Sequence, residues 1–339
     1  MPNPSERSRL WPALIGLTIS AGLIWYAIRG VDLRDVGRHL AAAHALPLAG
    51  AVVLATLTFP IRAVRWRYLL RDARDEPITW SALWHATAIG FMANNVLPFR
   101  LGELIRPLAV TRLADVRFTA AFSSIAIERI FDGLTLALLL GLALLSPGLG
   151  AGVEVGGVSV AKSAAVGGAV FLLLLAVAIG VVLRPLAAER VVRALLPRGR
   201  LAERLVRLIE GIRQGLAVLQ APKRAAAVVV WSLVLWLVNA LAFYVGFAAF
   251  DIRVDFTGAV LLEGLVAFGV SLPSTPGYLG PFEASIRAAL SLYGIAPDRS
   301  FSYAIAYHVT TFVPITLLGL WSLTRTPLAL KDLRRASAP

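Results

Sequence analysis

Apolar residues run in long blocks along this chain, separated by short polar or charged stretches. Blocks of about 18 residues or more are long enough to cross a bilayer as helices. Those at 10–28, 45–61, 119–145, 158–183, 224–250 and 301–324 predict six full spans. Two further apolar segments, 79–115 and 256–294, are each broken in the middle. The first break reads Asn94-Asn95-Val96-Leu97-Pro98-Phe99-Arg100-Leu101-Gly102-Glu103. The second reads Ser271-Leu272-Pro273-Ser274-Thr275-Pro276-Gly277-Tyr278-Leu279-Gly280-Pro281-Phe282-Glu283. Each stops at a Leu-Pro, passes a glycine and resumes with a carboxylate and then an arginine, Glu103 with Arg106 and Glu283 with Arg287.

A helix broken inside a bilayer strands backbone polar groups, which is tolerated where protein or a water-filled cavity covers them. Two such breaks in corresponding positions point to a transporter-type binding site. The expected fold is an all-α polytopic membrane protein of about six full transmembrane helices plus two re-entrant broken-helix hairpins in an inverted repeat. Residues 1–339 form one integral domain in this reading. Its first repeat covers about 45–145 with hairpin 79–115, and its second about 224–325 with hairpin 256–294. Three full spans between the hairpins make them enter from opposite faces, with Pro98 and Pro273 approaching each other at mid-depth. Between the repeats, 184–223 is a cytoplasmic amphipathic connector. Leu201, Leu205, Leu208, Ile212, Leu216 and Leu219 recur there at helical spacing, flanked by Arg200, Arg204 and Arg207. Such a helix lies on the inner leaflet or docks on the bundle.

Composition agrees with the pattern. The chain is 58% hydrophobic, with a mean hydropathy of +0.75, against roughly 45–50% apolar residues in soluble domains. The net charge of +13 comes from 33 Lys plus Arg against 20 Asp plus Glu. Most cations sit at predicted segment ends: Arg7 and Arg9, the stretch 62–78 (Arg62, Arg65, Arg67, Arg71, Arg74), 184–224, and Lys331, Arg334 and Arg335. By the positive-inside rule these stretches are cytoplasmic, so both termini face the cytoplasm of the cell inner (plasma) membrane. The first block is a retained helix rather than a signal peptide, because Arg29 and Asp32 follow it in place of a small-residue cleavage site. No basic patch with interleaved aromatics stands outside the predicted spans, so nucleic acid is not an expected partner. The absence of cysteine excludes disulfides and thiolate chemistry. His39, His44, His85 and His308 have no ligand spacing, so no metal and no cofactor are expected.

The chemistry lies in charges at membrane depth: Arg100, Glu103, Arg106, Glu128, Arg129, Asp132, Glu263, Glu283 and Arg287. Each costs about 2.5–3.5 kcal/mol at a helix centre, so they must pair or face water. Glu128 and Asp132 lie one helical turn apart, with Arg129 able to reach Asp132 at i+3. Such a network locks the fold or couples to transport. Glu263 has no local partner and is a candidate for proton or cation coupling. Arg100 sits at the break itself, near the positive end of a half-helix. Its planar guanidinium suits bidentate phosphate contact. Arg100 and Arg106 are therefore candidates for gripping an anionic headgroup, beside the alternative of a structural ion pair. Asn94, Asn95, Ser274, Thr275 and Tyr278 surround the breaks, where they recap broken helix ends or touch a ligand.

Three motifs occur in the same order in one known family: Asn95-Val96-Leu97-Pro98-Phe99-Arg100-Leu101-Gly102-Glu103 with Arg106, Glu128-Arg129 with Asp132, and Leu272 through Glu283. On them the chain resembles the lysylphosphatidylglycerol synthase transmembrane-region family, also called the flippase-like or uncharacterised-protein-family-0104 group, over about residues 10–325. The resemblance implies a membrane domain of the kind at the N-terminus of the multiple peptide resistance factor, thought to move aminoacylated phosphatidylglycerol between leaflets. Relatives are linked to polyprenyl-phosphate sugars, hopanoids or archaeal glycolipids. No cytosolic aminoacyl-transferase domain follows up to Pro339, so synthesis of a lysyl-lipid is not expected.

Three classes of function remain open. The first is a flippase for a phosphate-containing lipid, not an enzyme. The second is an accessory membrane subunit for a partner glycosyltransferase or synthase. The third is an embedded enzyme using Glu128 and Asp132 on a lipid phosphate. A homo-oligomer is left open.

Overall fold

The computed structural model describes residues 4–97, 100–145, 157–183 and 221–328, with positions 152, 154–155 and 194. Nearly all of them are helical. The first half holds α1 (Pro4–Ile28), α2 (Leu33–Ala41), α3 (Ala45–Leu69), α4 (Trp80–Val96), α5 (Gly102–Leu113) and α6 (Phe118–Leu144). A two-residue antiparallel ladder, β1 (Glu154–Val155) with β2 (Val158–Ser159), leads into α7 (Val160–Leu183). The second half holds α8 (Pro222–Phe247), α9 (Phe256–Gly269), α10 (Pro281–Ser291) and α11 (Pro297–Thr324).

Local chemistry sets several of these boundaries. Asp32, Thr79 and Asp255 accept hydrogen bonds from the first-turn N–H groups of α2, α4 and α9, the ordinary way of satisfying orphan donors. α8, α10 and α11 begin at prolines, where a missing N–H costs nothing. In α10 the Glu283 carboxylate accepts the Gly280 N–H at 2.7 Å.

Among the described residues, four helical stretches are long and apolar enough to cross a membrane: Ala45–Leu69, Val160–Val177, Pro222–Phe250 and Pro297–Thr324. This corrects the expectation of six full spans with two re-entrant hairpins. The predicted span 119–145 is a helix of 27 residues, but Glu128, Arg129 and Asp132 fall at its middle, and no stretch of membrane length avoids them. The predicted span 10–28 lies within α1 (Pro4–Ile28), whose stretch Gly16–Ile28 is apolar. The inverted repeat rested on three full spans between the breaks, and it falls with that count. The stretch 62–78 also changes place: α3 continues through Pro60 to Leu69, so Arg62 and Arg65 belong to a helix rather than a loop. The amphipathic stretch 184–223, apart from Ala194 and residues 221–223, lies outside the described residues, as do Pro98, Phe99 and the basic tail.

Among the described residues, two large apolar cores and three smaller clusters hold the bundle. One large core gathers Trp66, Leu83, Ile89, Ile105 and Ile125 from α3 to α6. The other gathers Phe247, Leu262, Ile286, Leu290 and Tyr303 from α8 to α11. α3 packs along α8 and joins the halves, while α4 lies against both α5 and α11. Large apolar side chains such as Leu172, Leu173 and Leu317 stay exposed, as a lipid-facing surface requires.

The approach of α4 to α5 is the tightest feature. A Cβ on Gly102 would overlap the Gly90 carbonyl oxygen and the Asn94 side chain, and one on Gly90 would meet Arg106 Cβ at 2.7 Å. Only the absence of both side chains lets α5 carry Arg106 into the bundle. Gly102→Ala is therefore expected to destabilise the protein by about 1–3 kcal/mol through overpacking. Gly141→Ala, whose added methyl meets nothing within 4 Å, should be neutral. Melting curves of the purified proteins in detergent check the pair.

Candidate functional site

α6 places Glu128 and Asp132 on its inward face, and arginines from three helices converge on them. Arg65 of α3 reaches Asp132 Oδ1 at 2.5 Å and Glu128 Oε1 at 3.1 Å. Arg106 of α5 donates to Glu128 Oε1 at 2.9 Å. Arg129 lies 3.1 Å from both carboxylates. Trp236 Nε1 of α8 donates to Asp132 Oδ1 at 2.9 Å, and Arg65 also donates to Ser232 Oγ at 3.0 Å. The side chains of Arg65 and Glu128 are each 0% exposed. Three guanidiniums thus share two carboxylates, and the cluster carries surplus positive charge. Part of it is spread over an aromatic face, since the Arg106 guanidinium stacks 3.9 Å from the Trp66 ring centroid.

Beside this cluster lies a cavity of about 720 Å³, within the range of ligand sites. The first break contributes Asn94, Asn95, Arg100, Glu103 and Arg106 to its wall, and the second contributes Tyr278 and Phe282. Arg129 and Asp132 open onto it from α6, Arg62 from α3, Asn239 from α8 and Glu263 from α9. The two breaks meet there: the Arg100 guanidinium lies 5.5 Å from the Tyr278 ring centroid. Arg100 and Tyr278 both hold left-handed backbone, with φ of 54° and 60°. That conformation costs a non-glycine residue about 1–3 kcal/mol and clusters at functional sites.

The remaining residues singled out from the sequence fall into distinct places. Glu103 lies 3.6 Å from Arg100, both partly exposed, while Arg106 turns away from Glu103 to Glu128. Asn95 donates to Thr316 Oγ1 at 3.0 Å, and the Asn94 side chain abuts Gly102. Glu263, 2% exposed, accepts from Asn239 Nδ2 at 2.5 Å. Ser274 is buried, and Thr275, hydrogen-bonded through its N–H to Ser20 Oγ at 2.9 Å, anchors the second break on α1; neither lines the cavity wall. Glu283 pairs with His308 Nδ1 at 2.5 Å rather than with Arg287. Arg287 instead donates to the Tyr26 and Arg29 carbonyls and pins α10 to the end of α1.

Reasoning from the sequence missed Arg62, Arg65, Trp236 and Asn239. The signal was present for the last two: Asn239 and the indole N–H of Trp236 are polar groups one turn apart within an apolar span. The arginines fell in the stretch 62–78, just past the predicted span 45–61. Among the described residues no group of three His, Cys, Asp or Glu could hold a metal ion.

A family model described as the lysylphosphatidylglycerol synthase TM region matches residues 13–319, a range that holds both breaks and the α6 cluster. The chain is similar to the glycosyltransferase AglD of Haloferax volcanii, 28% identical over 340 residues. That match covers 89% of this chain and 53% of the relative, so the chain spans about half the length of that glycosyltransferase. It is also similar to a UPF0104 membrane protein of Methanothermobacter thermautotrophicus, 24% identical over 325 residues, covering 91% of this chain and 90% of the relative.

Breaking one partner of a buried ion cluster leaves an uncompensated charge and costs about 3–5 kcal/mol. Arg65→Gln is expected to lower the melting temperature or the yield of folded protein accordingly. Ser232→Ala removes one hydrogen bond and should cost about 1 kcal/mol. Size-exclusion profiles after a heating series compare the two variants.

Proposed function

The chain belongs to the lysylphosphatidylglycerol synthase TM-region family, and on that premise we propose that it moves a phosphate-containing lipid between leaflets. The headgroup passes through the central cavity while the acyl or prenyl chains stay in the surrounding lipid. One observation carries this reading: both breaks face one cavity of about 720 Å³, beside a cluster in which arginines outnumber carboxylates. A phosphate crossing a partly dry space needs a fixed cation, because an unpaired buried charge costs several kcal/mol. Arg100 is held only loosely, 3.6 Å from Glu103, and is placed to make transient contact. Aminoacyl-phospholipids, polyprenyl-phosphate sugars and related glycolipids all present such a phosphate.

Residues 1–339 are read as a single integral domain of the plasma membrane, with both termini cytoplasmic. The joining of the halves by α3 and α8 supports one domain. A second reading, an accessory membrane subunit working with a separate glycosyltransferase, is favoured by the similarity to a glycosyltransferase of which this chain spans 53%. In that case the lipid is a polyprenyl-phosphate sugar. The reading as an embedded enzyme loses support, because arginines already hold both Glu128 and Asp132.

The test is reconstitution in liposomes with fluorescent lipids and a membrane-impermeant quencher. Arg100→Lys should fold but lose most transport of a phosphate-bearing lipid, since an ammonium cannot form the bidentate fork. Equal transport of an uncharged lipid by the unsubstituted protein would refute the phosphate assignment.

A further inference from the structure

We propose that Arg62 holds the phosphate that Arg100 contacts transiently, in a slot between Phe91 and Trp236. The proposal deepens the translocation reading and rests on it for the identity of the ligand. It follows from the state of each cavity arginine. Arg129 is engaged by Glu128 and Asp132 and Arg106 by Glu128, while Arg100 has the loose contact with Glu103 at 3.6 Å. Arg62 has no carboxylate within ion-pair distance among the described residues.

Its surroundings hold it with no carboxylate in ion-pair contact among the described residues, although Asp132 and Glu263 line the same cavity. The guanidinium lies 4.9 Å from the Phe91 ring centroid and 6.0 Å from that of Trp236. Ring faces attract the cation but do not offer its five N–H donors the oxygen acceptors that a planar fork prefers. The Trp236 indole is fixed in turn, because its own N–H is spent on Asp132. Glu263 opens onto the same cavity but is satisfied by Asn239. One turn along α3, Arg65 is buried in the ion cluster, so the two arginines of this helix divide the work. Arg65 builds the floor and Arg62 stays open to the cavity. The missing partner is an oxyanion with two adjacent oxygens, which a phosphate ester supplies.

Free phosphate and a lipid headgroup share this chemistry, and the experiment separates them. The full chain is purified in maltoside micelles, which carry no phosphate. It is titrated with inorganic phosphate, with phosphatidic acid in mixed micelles, or with diacylglycerol as the uncharged control. Tryptophan fluorescence reports binding, since one of the eight tryptophans lies against Arg62. Phosphatidic acid should give a saturable change that diacylglycerol does not. Arg62→Gln should weaken it about ten-fold or more, the factor expected for losing a charge-assisted hydrogen bond. Arg62→Lys keeps the charge and serves if the Gln variant does not fold; it should bind between the two. Arg67→Gln, exposed on the same helix, should bind like the unsubstituted chain.

A response to inorganic phosphate alone would overturn the headgroup assignment. Unchanged binding in the Gln variant, or in the Lys variant where Gln does not fold, would overturn the site itself. The outcomes also part from those of the translocation test. Arg62-dependent binding without lipid movement would remove translocation and leave the site standing. Normal lipid movement by Arg62→Lys with unchanged binding would do the reverse.

Discussion

Two carboxylates on α6, Glu128 and Asp132, are buried among helices, and the rest of the structure is arranged around that cost. Each charge taken out of water carries a penalty of several kcal/mol unless excellent geometry offsets it. Arg65, Arg106 and Arg129 provide that geometry from α3, α5 and α6, and Trp236 of α8 joins Arg65 and Arg129 as a third donor to Asp132. The cluster therefore links four helices in a fixed relation. Because its arginines outnumber its carboxylates, it also biases the adjoining cavity toward anions.

Small residues make this arrangement sterically possible. Gly90 and Gly102 bring the backbones of α4 and α5 together, which delivers Arg106 to Glu128. Gly319 does the same for α11 against Met92 and Ala88 of α4. The breaks are held by different means. The second is fastened by Thr275 to Ser20 and by the Glu283 contacts with Gly280 and His308. The first reaches across to it through Arg100 and Tyr278, both in left-handed backbone. The second break is thus fastened to α1 and α11, and it meets the first at the wall of the cavity.

The polar groups of this protein thus divide by whether their partners lie within the protein. Thr275, Glu283 and Arg287 serve as fastenings, each placed away from the cavity wall. Arg62 and Arg100 face the cavity with weaker or no carboxylate contacts. A residue type that looks functional in a membrane sequence, such as a hydroxyl beside a proline break, can belong to either group. Only its neighbours decide.

By itself the sequence determined that the chain is a multi-pass membrane protein, because blocks of apolar residues at membrane length have few other uses. It also identified both breaks, the α6 charges and the family motifs, since charges and prolines in apolar surroundings are costly enough to stand out locally. The number of membrane-length helices was not legible. A window of hydropathy counted α6 as a span, whereas its central charges belong to a buried cluster. Nor was the pairing legible, because it joins residues far apart in the chain: Arg106 and Glu128 are 22 positions apart, and Arg65 and Asp132 are 67. Spacing rules see only neighbours on one helix and so assigned Arg106 to Glu103 and Arg287 to Glu283. Whether α3 ends at Pro60 or runs on to bury Arg65 depends on α8 packing along its side. Tertiary structure decided these points because the energy of a buried charge is set by which groups surround it in space, and not by which precede it in the chain.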